Sequence, residues 1–497
     1  MTSEAVQEAR DPLIPHWRAI LTAKRKRAVG GSGMGRARER LLREIGGLLV
    51  TAIVLLAASG RAQAANARQQ TPSGPLTPAD RAFIEDLSRR AFLFFVEQAD
   101  PGTGLVRDRA RTTGVVESEH DRDTASIAAT GFGLTGLSIG ANHGWIPRDE
   151  ARKRVLTTLR FFAQRAPSEH GWFYHFLAAG TGERRWKCEL SSIDTALLLA
   201  GVLTAGQYFS NDREITSLAD TIYRRVDFQW MLNGDPYVPA MGWFPEKGFI
   251  PHRWDHYCEL MILYLLAIAS PTHPIPAQSW YAWKRPPITY DSYHYIYGDR
   301  PLFVHQYAHA WIDFRHRRES KAPHIDWFEN SITATLAQRE CCIRLHAKFP
   351  GYSQDVWGIT ASDSAKGYVA WGGPPDDPQV DGTVVPCAPA GSLMFTPRES
   401  LAALRKMKQL YGDRIYGHYG FTDAFNPNTG WVNPDVIGID VGITLLSAEN
   451  LSSGDVWDWF MRNAAIPKTM DRIGLTLEPT VPAKPIPSHA SPQTHEP

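Results

Sequence analysis

The chain has 497 residues, enough for a large hydrophobic core and, on length alone, for two or three domains. Its formal net charge is only +1, without a basic face, which argues against nucleic acid as the main partner. Five Cys are too few and too irregularly spaced for a disulfide framework.

The N-terminal region has the pattern of a targeting segment. Residues 36–58 are first basic and then apolar, with an apolar run about as long as a signal-peptide core and too short for a comfortable membrane span. Ala62 and Ala64 form an A-x-A-like cleavage site. We expect residues 1–64 to be an N-terminal extension and signal peptide, initiated at Met34 and cleaved near Ala64. The mature protein would be secreted or periplasmic; an uncleaved anchor is the alternative.

Composition divides the remaining chain into three parts. Residues 65–78 are rich in Gln, Pro, Ser and Gly and predict a linker. Residues 474–497 are Pro-rich with almost no apolar side chains and predict a disordered tail. Nothing between them resembles an interdomain linker, so one catalytic domain is expected over residues 79–473.

Nearly all of this domain has helical periodicity. The predicted helices span residues 79–98, 124–142, 149–165, 192–209, 213–230, 255–269, 302–314, 326–345, 397–411, 438–451 and 455–463. Almost wholly apolar or small-residue helices alternate with amphipathic ones. The apolar class, expected to form the inner layer, starts near residues 124, 192, 255, 302, 397 and 438. Concentric packing would bury this class and half-expose the other. The pattern therefore predicts an all-α toroid, an α/α barrel with long aromatic-rich loops, rather than a bundle.

One inner helix is preceded by a loop that combines an aromatic residue, Trp186, with a carboxylate, Glu189. Ser191 or Ser192 is a favoured N-cap for this helix, and Asp194 is expected to be a cap or a partner of the helix dipole. The helix carries hardly any charge and should be buried on every side. Partial desolvation at its mouth would raise the pKa of Glu189, as a general acid requires.

Other loops before the inner helices share this mixture of aromatic and acidic residues. Aromatic faces can stack on the C–H faces of sugar rings, and carboxylates can bind hydroxyls, so such a cleft would suit an uncharged polysaccharide. The alternative is that the aromatic residues anchor the loops in the core. The predicted substrate-binding residues are Trp172, Trp186, Trp243, Trp254, Asp255, Tyr257, Glu259, His305, Tyr307, Trp357 and Tyr419.

Glycoside hydrolysis needs a carboxylic acid that protonates the leaving oxygen and a second carboxylate that acts as base or nucleophile. The candidate carboxylates are Glu189, Asp363, Asp123, Glu119, Asp255 and Glu259. Asp255 and Glu259 are four residues apart, a spacing that puts two side chains on one helix face. Their alternative role is to hold Arg253 or His256.

A metal site is the weaker interpretation of one pair of histidines. His305 and His309 lie four residues apart on one predicted helix face, but the Glu of a His-Glu-x-x-His motif is missing. A structural or sugar-binding role for His305 is favoured. No C-x-x-C pair, phosphate-binding loop or Ser/His/Asp arrangement is evident, and no metal or other cofactor is expected.

Six motifs resemble the glycoamylase-like family, whose characterised branch is the bacterial endo-β-1,2-glucanases of glycoside hydrolase family 144. They lie at residues 126–135, 189–201, 241–249, 270–276, 305–314 and 419–426, and the likeness covers about residues 80–470. The resemblance implies an (α/α)6 toroid, secretion or a periplasmic location, no metal requirement and inverting hydrolysis of β-1,2-glucan. It also implies an essential Glu at Glu189, essential acidic residues at Glu119 and Asp123, and a later essential Asp at Asp363.

The sequence therefore predicts a secreted endo-β-1,2-glucanase that acts on an oligo- or polysaccharide, without nucleic-acid or membrane partners beyond the signal segment. Glu189 would be the general acid, and Asp363, or failing that Asp123, would activate water as the base. Two alternatives remain. A polysaccharide lyase on the same toroid would use Tyr or His as base, and a non-catalytic glycan-binding protein would keep the aromatic residues but tolerate loss of Glu189.

Overall fold

The computed structural model describes residues 76–115 and 123–478, a predominantly helical structure. Its helices are α1 (Pro78–Glu97), α2 (Ile127–Asn142), α3 (Arg148–Gln164), α4 (Ser192–Tyr208), α5 (Arg213–Arg224), α6 (Met261–Ala269), α7 (Tyr307–Trp311), α8 (Trp327–Leu345), α9 (Cys387–Gly391), α10 (Pro397–Tyr411), α11 (Gly438–Ser452), α12 (Asp455–Met461) and α13 (Ala465–Arg472). Turns of 3-10 helix lie at Trp230–Leu232, Ala277–Tyr281, Leu302–His305 and Gly412–Arg414.

The strands are short and belong to the loops. They are β1 (Arg109–Arg111), β2 (Thr124–Ser126), β3 (Ser168–Glu169), β4 (Trp172–Phe173), β5 (Phe176–Ala178), β6 (Leu190–Ser191), β7 (Gly242–Phe244), β8 (Gly248–Phe249), β9 (Pro287–Tyr290), β10 (Tyr293–Ile296), β11 (Arg317–Glu319), β12 (Ser362–Ser364), β13 (Gly367–Val369), β14 (Tyr416–Gly417), β15 (Gly420–Phe421), β16 (Phe425–Asn426), β17 (Trp431–Val432), β18 (Asp435–Ile437) and β19 (Leu475–Leu477). All pairings are antiparallel: β6, β7 and β8 form one sheet, and the two-stranded pairs are β1–β18, β2–β5, β3–β4, β9–β10, β11–β19, β12–β13, β14–β15 and β16–β17.

The helices fall into two classes, as the hydrophobic pattern predicts. Helices α2, α4, α6, α7, α9 and α11 are buried along nearly all of their length. Helices α1, α3, α5, α8 and α10 bury one face and expose the other. Helices without a polar face must be covered on all sides, whereas amphipathic helices can meet solvent. The buried helices therefore lie inside a layer of amphipathic ones.

Contacts between buried helices run in sequence order from α2 to α7, the 3-10 turn before α7 contacts α9, and α11 returns to α2. Helix α2 contacts α4, α4 contacts α6, and α6 contacts α7, while α11 contacts α7, α9 and α2. Between them, the rings of Phe132 on α2 and Trp311 on α7 are 4.7 Å apart, and the Trp311 indole donates to Thr135 Oγ1 over 2.9 Å. The hydrophobic core thus fills the space enclosed by the buried helices at this level.

Helices α2 and α4 cross at glycines because only a bare backbone fits there. A Cβ atom at Gly201 would lie 2.0 Å from the carbonyl oxygen of Gly131, and a Cβ at Gly131 would lie 2.3 Å from that of Leu197. No side-chain rotation can relieve a clash between a Cβ atom and backbone. The two glycines thus set the spacing of these helices.

We expect Gly201→Ala to destabilise the fold by about 3 kcal/mol or more, because the two helices must separate to admit the methyl group. Gly206→Ala on the same helix is the matched control. Its Cβ would lie 3.2 Å from the Ala219 side chain, so it should change stability by about 1 kcal/mol or less. Chemical unfolding of both variants checks this, and equal midpoints would contradict the close crossing.

Three strands lead directly into buried helices, and this arrangement gathers their N-terminal ends. Strand β2 precedes α2, β6 precedes α4 and β18 precedes α11. Ser126 and Ser191 cap α2 and α4 by accepting a hydrogen bond from a backbone N–H in the first turn. The pairings β2–β5, β6–β7 and β1–β18 bring other loops to the same ends.

Several predicted boundaries differ from the structure. The helix expected from residue 255 begins at Met261, and the one expected over 302–314 is a 3-10 turn followed by the short helix α7. The helix starting at Pro397, predicted to be inner, has an exposed face, and the inner position belongs to Cys387–Gly391 instead. The sequence did not predict the helix Cys387–Gly391, because it is short and contains Pro and Gly.

The predicted domain limits also need adjustment. Helix α1 begins at Pro78, capped by Thr77, within the predicted linker. Strand β19 pairs with β11 beyond the predicted end at residue 473, so the prediction of a disordered tail is wrong for residues 474–478. The predicted signal peptide, most of the linker and residues 479–497 lie outside the described residues. Within residues 76–115 and 123–478, no helix combines the length and hydropathy needed to cross a membrane.

Candidate active site

Glu189 lies in the last loop position before β6, at the N-terminal end of α4. Its backbone carbonyl accepts a hydrogen bond from the His175 N–H over 3.0 Å, which joins two loops. Gly242 on the neighbouring strand leaves room for its side chain, since a Cβ there would lie 3.0 Å from Glu189 Cγ. Glu189 is only 4% exposed. The structure therefore places it at a buried helix mouth, as its sequence position predicts.

The Glu189 carboxylate is held by a histidine that bridges two acids. His175 Nδ1 lies 3.0 Å from Glu189 Oε1, and His175 Nε2 lies 3.6 Å from Asp194 Oδ2. Ser191 Oγ donates to the same Asp194 oxygen over 2.5 Å and accepts from the Asp194 N–H. Asp194 thus takes part in capping α4, as predicted, and also holds the far side of the His175 ring.

This bridge sets the charges of His175 and Glu189. Burial opposes a charged imidazole, but the charge of Asp194 and the hydrogen bond and charge of Glu189 outweigh it and raise the pKa of His175 to about 9. Burial would raise the pKa of Glu189, yet its hydrogen bond to His175 and the charge of that ring lower it overall. Burial raises the pKa of Asp194. The predicted upward shift at Glu189 is therefore wrong, because its histidine partner could not be seen in a local stretch of sequence.

The three side chains also bring one nitrogen and two oxygens within 4.8 Å of one another, a spacing that a metal ion could bridge. However, the two nitrogens of His175 face different carboxylates. A metal ligand instead offers one nitrogen to the ion and donates from the other to an outer partner. The geometry fits a protonated bridge better than a metal site.

A second acidic cluster surrounds Asp363, on strand β12. Asp363 Oδ2 accepts hydrogen bonds from Arg109 over 2.8 Å and from Asn433 Nδ2 over 3.0 Å. Its backbone N–H donates to Asp423 Oδ2 over 3.0 Å, and Asn433 Nδ2 also donates to that oxygen over 2.8 Å. The Asp363 side chain is 17% exposed, whereas Asp423 is 3% exposed. Asp363 is therefore the carboxylate of this cluster that solvent can reach.

Beneath Asp363, Asp423 and Asp440 line one small cavity with Cys387. Burial and the negative charges of Asp440 and Asp363 raise the pKa of Asp423 well above its ordinary value. Burial, with the charges of Asp108 and Asp363, raises the pKa of Asp440 to about 7, although hydrogen bonds to Asp423 and Cys387 oppose the rise. This pair can hold a proton near neutral pH.

We expect the protonation of Asp440 to make the protein less stable as pH rises. Its folded-state pKa of about 7 exceeds the ordinary value of 3.8, so between these pH values only the folded state keeps the proton and stability falls. The side chain of Asp440→Asn cannot ionise, so this variant should not show the loss. From pH 5 to pH 8 its free energy of unfolding should therefore rise relative to that of the unsubstituted protein by an amount on the order of 3 kcal/mol. Chemical unfolding at the two pH values measures this. Asp376→Asn, on an exposed loop, is the control, and equal pH dependence in both variants would contradict the assignment.

Asp108 connects the two clusters. Its backbone N–H donates to the Thr124 carbonyl, and its carbonyl accepts from Gly438 at the start of α11. Its carboxylate forms an ion pair with Arg109 over 3.3 Å. Its charge raises the pKa of both His175 and Asp440. The Glu189 and Asp363 clusters therefore belong to one acidic region at the N-terminal ends of α2, α4 and α11.

The remaining acidic candidates have different surroundings. Asp123 is ion-paired with Arg185 over 3.3 Å and Arg107 over 3.8 Å, and Glu119 lies outside the described residues. Asp255 forms an ion pair with His256 over 2.6 Å, one of the structural roles considered for it. Burial, with contributions from the charges of Asp299 and then Asp194, raises the pKa of the half-buried Glu259 to about 7. Glu259 can therefore donate a hydrogen bond to a ligand near neutral pH.

The predicted sugar-stacking residues divide by burial. Trp186 and Trp243 are half-buried, so part of each ring can meet a ligand. For the others the prediction of a stacking surface is wrong, because their rings lie in the core; these are Trp172, Trp254, Tyr257, Tyr307, Trp357 and Tyr419. Several have fixed polar partners, such as the Trp254 indole, which donates to Ser192 Oγ over 2.7 Å. Anchoring the loops, the alternative considered for these aromatic residues, describes this group.

The histidines of α7 and its preceding turn are structural. His305 Nδ1 lies 3.1 Å from the Tyr257 hydroxyl, and His309 Nε2 lies 3.1 Å from Ser331 Oγ. Burial lowers the pKa of each to about 3, so both rings are neutral. Their separate partners and enclosed positions do not favour the substrate-binding role predicted for His305.

Sequence reasoning missed His175, Asp108, Arg109 and the Asp423–Asp440 pair as site residues. One signal could have found Asp440. It is the third residue of a buried, apolar helix and follows Ile439, just as Asp194 follows Ile193 in α4. An acidic residue in the first turn of an otherwise apolar, buried helix is a candidate functional residue.

Comparisons with known proteins agree with this architecture. Residues 251–464 match the Glycoamylase family model ("Putative glucoamylase"). A curated relative, the exo β-1,2-glucooligosaccharide sophorohydrolase (non-reducing end) of Parabacteroides distasonis, is 28% identical over 443 residues. The match covers 81% of this chain but only 59% of that relative.

Solved structures give the same result. The endo-β-1,2-glucanase of Chitinophaga pinensis, in complex with sophorotriose and glucose, is 28% identical with a TM-score of 0.72, covering 79% of this chain and 98% of that one. The β-1,2-glucanase of P. distasonis is 26% identical with a TM-score of 0.73, covering 80% and 60%. These comparisons confirm the resemblance to the glycoamylase-like family and its bacterial β-1,2-glucanases.

Proposed function

We propose that this chain is a glycoside hydrolase that cleaves β-1,2-glucan by an inverting mechanism, with Glu189 as general acid and Asp363 as general base. The observation that carries the proposal is one acidic region that holds Glu189, bridged to a histidine, and a solvent-accessible Asp363. The similarity to β-1,2-glucan hydrolases over about four-fifths of the chain supports the reaction and the substrate.

The two carboxylates have the surroundings that their roles need. Glu189 shares a hydrogen bond with a protonated histidine and can pass a proton to the leaving glycosidic oxygen. Asp363 has Arg109 beside it as an opposite charge, and among the described residues its Oδ1 accepts no hydrogen bond. That oxygen can therefore orient a water molecule towards the anomeric carbon. In an inverting enzyme the two carboxyls are commonly ~6.5–9.5 Å apart to admit this water.

The half-buried residues of the region fit a sugar chain. Trp186 precedes Glu189 by three residues, and Trp243 pairs with Leu190, the residue after Glu189; both are half-buried and present partial ring faces. Glu259 can donate or accept a hydrogen bond at a sugar hydroxyl near neutral pH. The similar proteins described above include one named as an exo-acting enzyme and one named as an endo-acting enzyme. We propose endo action here, to be decided by the length of the products.

We further propose that the fold is an (α/α)6 toroid. Six buried helices, the in-order contacts among them and the return from α11 to α2 support an inner ring, and the amphipathic helices supply an outer one. Secretion or periplasmic location is also proposed, on the strength of the basic and apolar run over residues 36–58 and the Ala62–Ala64 cleavage pattern.

Incubation with linear and cyclic β-1,2-glucans, and with β-1,3- and β-1,4-glucans, tests the proposal. We expect new reducing ends from β-1,2-glucan and an inverted anomeric configuration by NMR at early times. A UV-absorbing unsaturated product would identify a lyase instead. Binding without release of reducing sugar would identify a glycan-binding protein. Either result would reject the proposed reaction.

A further inference from the structure

We propose that His175 stores, on its imidazole ring, the proton that Glu189 delivers to the leaving oxygen, and that Asp194 holds the ring in this role. The proposal rests on the proposed function, since it concerns the same reaction. It makes His175 a positioning residue that acts through Glu189 rather than on the sugar.

The position of the ring leaves it few alternatives. Its two nitrogens face Glu189 at 3.0 Å and Asp194 at 3.6 Å, and its plane stacks on Phe176 with 3.8 Å between ring centroids. The His175 side chain is 12% exposed. A ring clamped between two acids and one aromatic face cannot turn away without losing both ion pairs.

The charges around the ring favour a stored proton. On α4 and its preceding loop the ring meets Glu189 and Asp194. Asp108, which is itself ion-paired with Arg109, adds a weaker negative contribution from the loop before β1. Arg184 is the cation that acts on Glu189 from the neighbouring loop, and it already pairs with Glu246 at the surface. Negative charge therefore exceeds positive charge around the imidazole and stabilises its protonated form.

The proton can be followed through one turnover. In the free protein the His175–Glu189 hydrogen bond holds one proton, which resides mainly on Nδ1. During reaction the Nδ1–H bond breaks as an O–H bond forms on Glu189, and the carboxyl turns to give this proton to the glycosidic oxygen as the C–O bond breaks. Water, deprotonated by Asp363, forms the new bond to the anomeric carbon. The ring then regains a proton from solvent, and Asp363 releases one.

This arrangement fixes the direction of the pH dependence. The His175–Glu189 pair shares one titratable proton and loses it only near the pKa of about 9. The fraction of molecules that carry this proton on Glu189 rather than on His175 therefore also persists to that pH. Without His175, the proton leaves Glu189 at the lower pKa of a carboxyl. If His175 merely depressed the pKa of Glu189, its removal would shift the basic limb upward instead. The two roles predict opposite signs.

The decisive experiment compares pH profiles of kcat/KM for the full chain and His175→Gln on β-1,2-glucan. We expect the basic limb of the variant to move to lower pH by about one unit or more. His143→Gln is the matched control: it breaks a similar pair, His143 Nε2 to Glu449 Oε2 at 2.9 Å, at the other end of α2, about 24 Å away along the helix. It should leave the limb unchanged. An unchanged or raised limb in His175→Gln would overturn the proposal.

Two further measurements keep the test independent of folding and of the proposed substrate. Imidazole ¹⁵N NMR of the unsubstituted protein should find the ring of His175 protonated at pH 7.5, and a neutral ring would overturn the proposal even if hydrolysis is observed. If the ring is protonated but no glucan is cleaved, the proposed function fails while the stored proton stands. Should His175→Gln not fold, Asp194→Asn, which keeps an acceptor for Ser191, should shift the basic limb in the same direction by a smaller amount.

Discussion

Glu189→Gln should lower kcat on β-1,2-glucan by about 10³-fold or more, because an amide cannot donate the proton that the leaving sugar oxygen requires. Gln has nearly the same shape and can still hydrogen-bond His175 Nδ1, so binding of oligosaccharide should be largely retained. Initial rates of reducing-sugar release and calorimetric titration with product oligosaccharides measure the two effects.

A change of leaving group sharpens this test. An aryl β-glycoside that releases nitrophenolate needs little protonation, so the variant should recover much of its activity on such a substrate. Glu214→Gln on the exposed face of α5 is the matched control and should behave as the unsubstituted protein. Undiminished hydrolysis of the natural linkage by Glu189→Gln would remove Glu189 from the mechanism.

Asp363→Asn should lower kcat by about 10²- to 10⁴-fold, since an amide cannot take a proton from the attacking water. The substituted side chain can still accept from Arg109 and Asn433 through its oxygen, so the surrounding cluster should be preserved. Unlike Glu189→Gln, this variant should not recover on the aryl glycoside, because both substrates need the activated water. KM should change little.

Asp376→Asn is the control for this substitution, because Asp376 lies on an exposed loop not far along the chain. If Asp363→Asn keeps full activity while Asp123→Asn loses it, the base is Asp123, the alternative predicted from sequence. Loss of folding in Asp363→Asn would show as an altered unfolding midpoint, and that outcome would make Asp363 a structural residue of the cluster.

The buried helices were predictable because the information lies in short stretches. A run such as Ile193–Gly206 has no polar face, so its burial follows from composition alone, and Ser191 marks its start through a local capping bond. The short helix α9 was not predicted, because five residues that include Pro and Gly are too few to show a hydrophobic periodicity. Where burial depends on neighbours rather than on period, as for Trp172, local sequence did not distinguish a ligand surface from core.

The sequence by itself determined the helical class, the apolar helices and the position of Glu189 at the mouth of a buried helix, because hydrophobic period and capping are local properties. Only the tertiary structure decided which charges meet. Arg109 and Asp363 are 254 positions apart yet hydrogen-bonded, and His175 reaches Glu189 from a separate loop. The charge of a buried carboxyl depends on its desolvation and on the partners that the fold brings within a few ångströms. For that reason the protonation states of this site are set only in the folded chain.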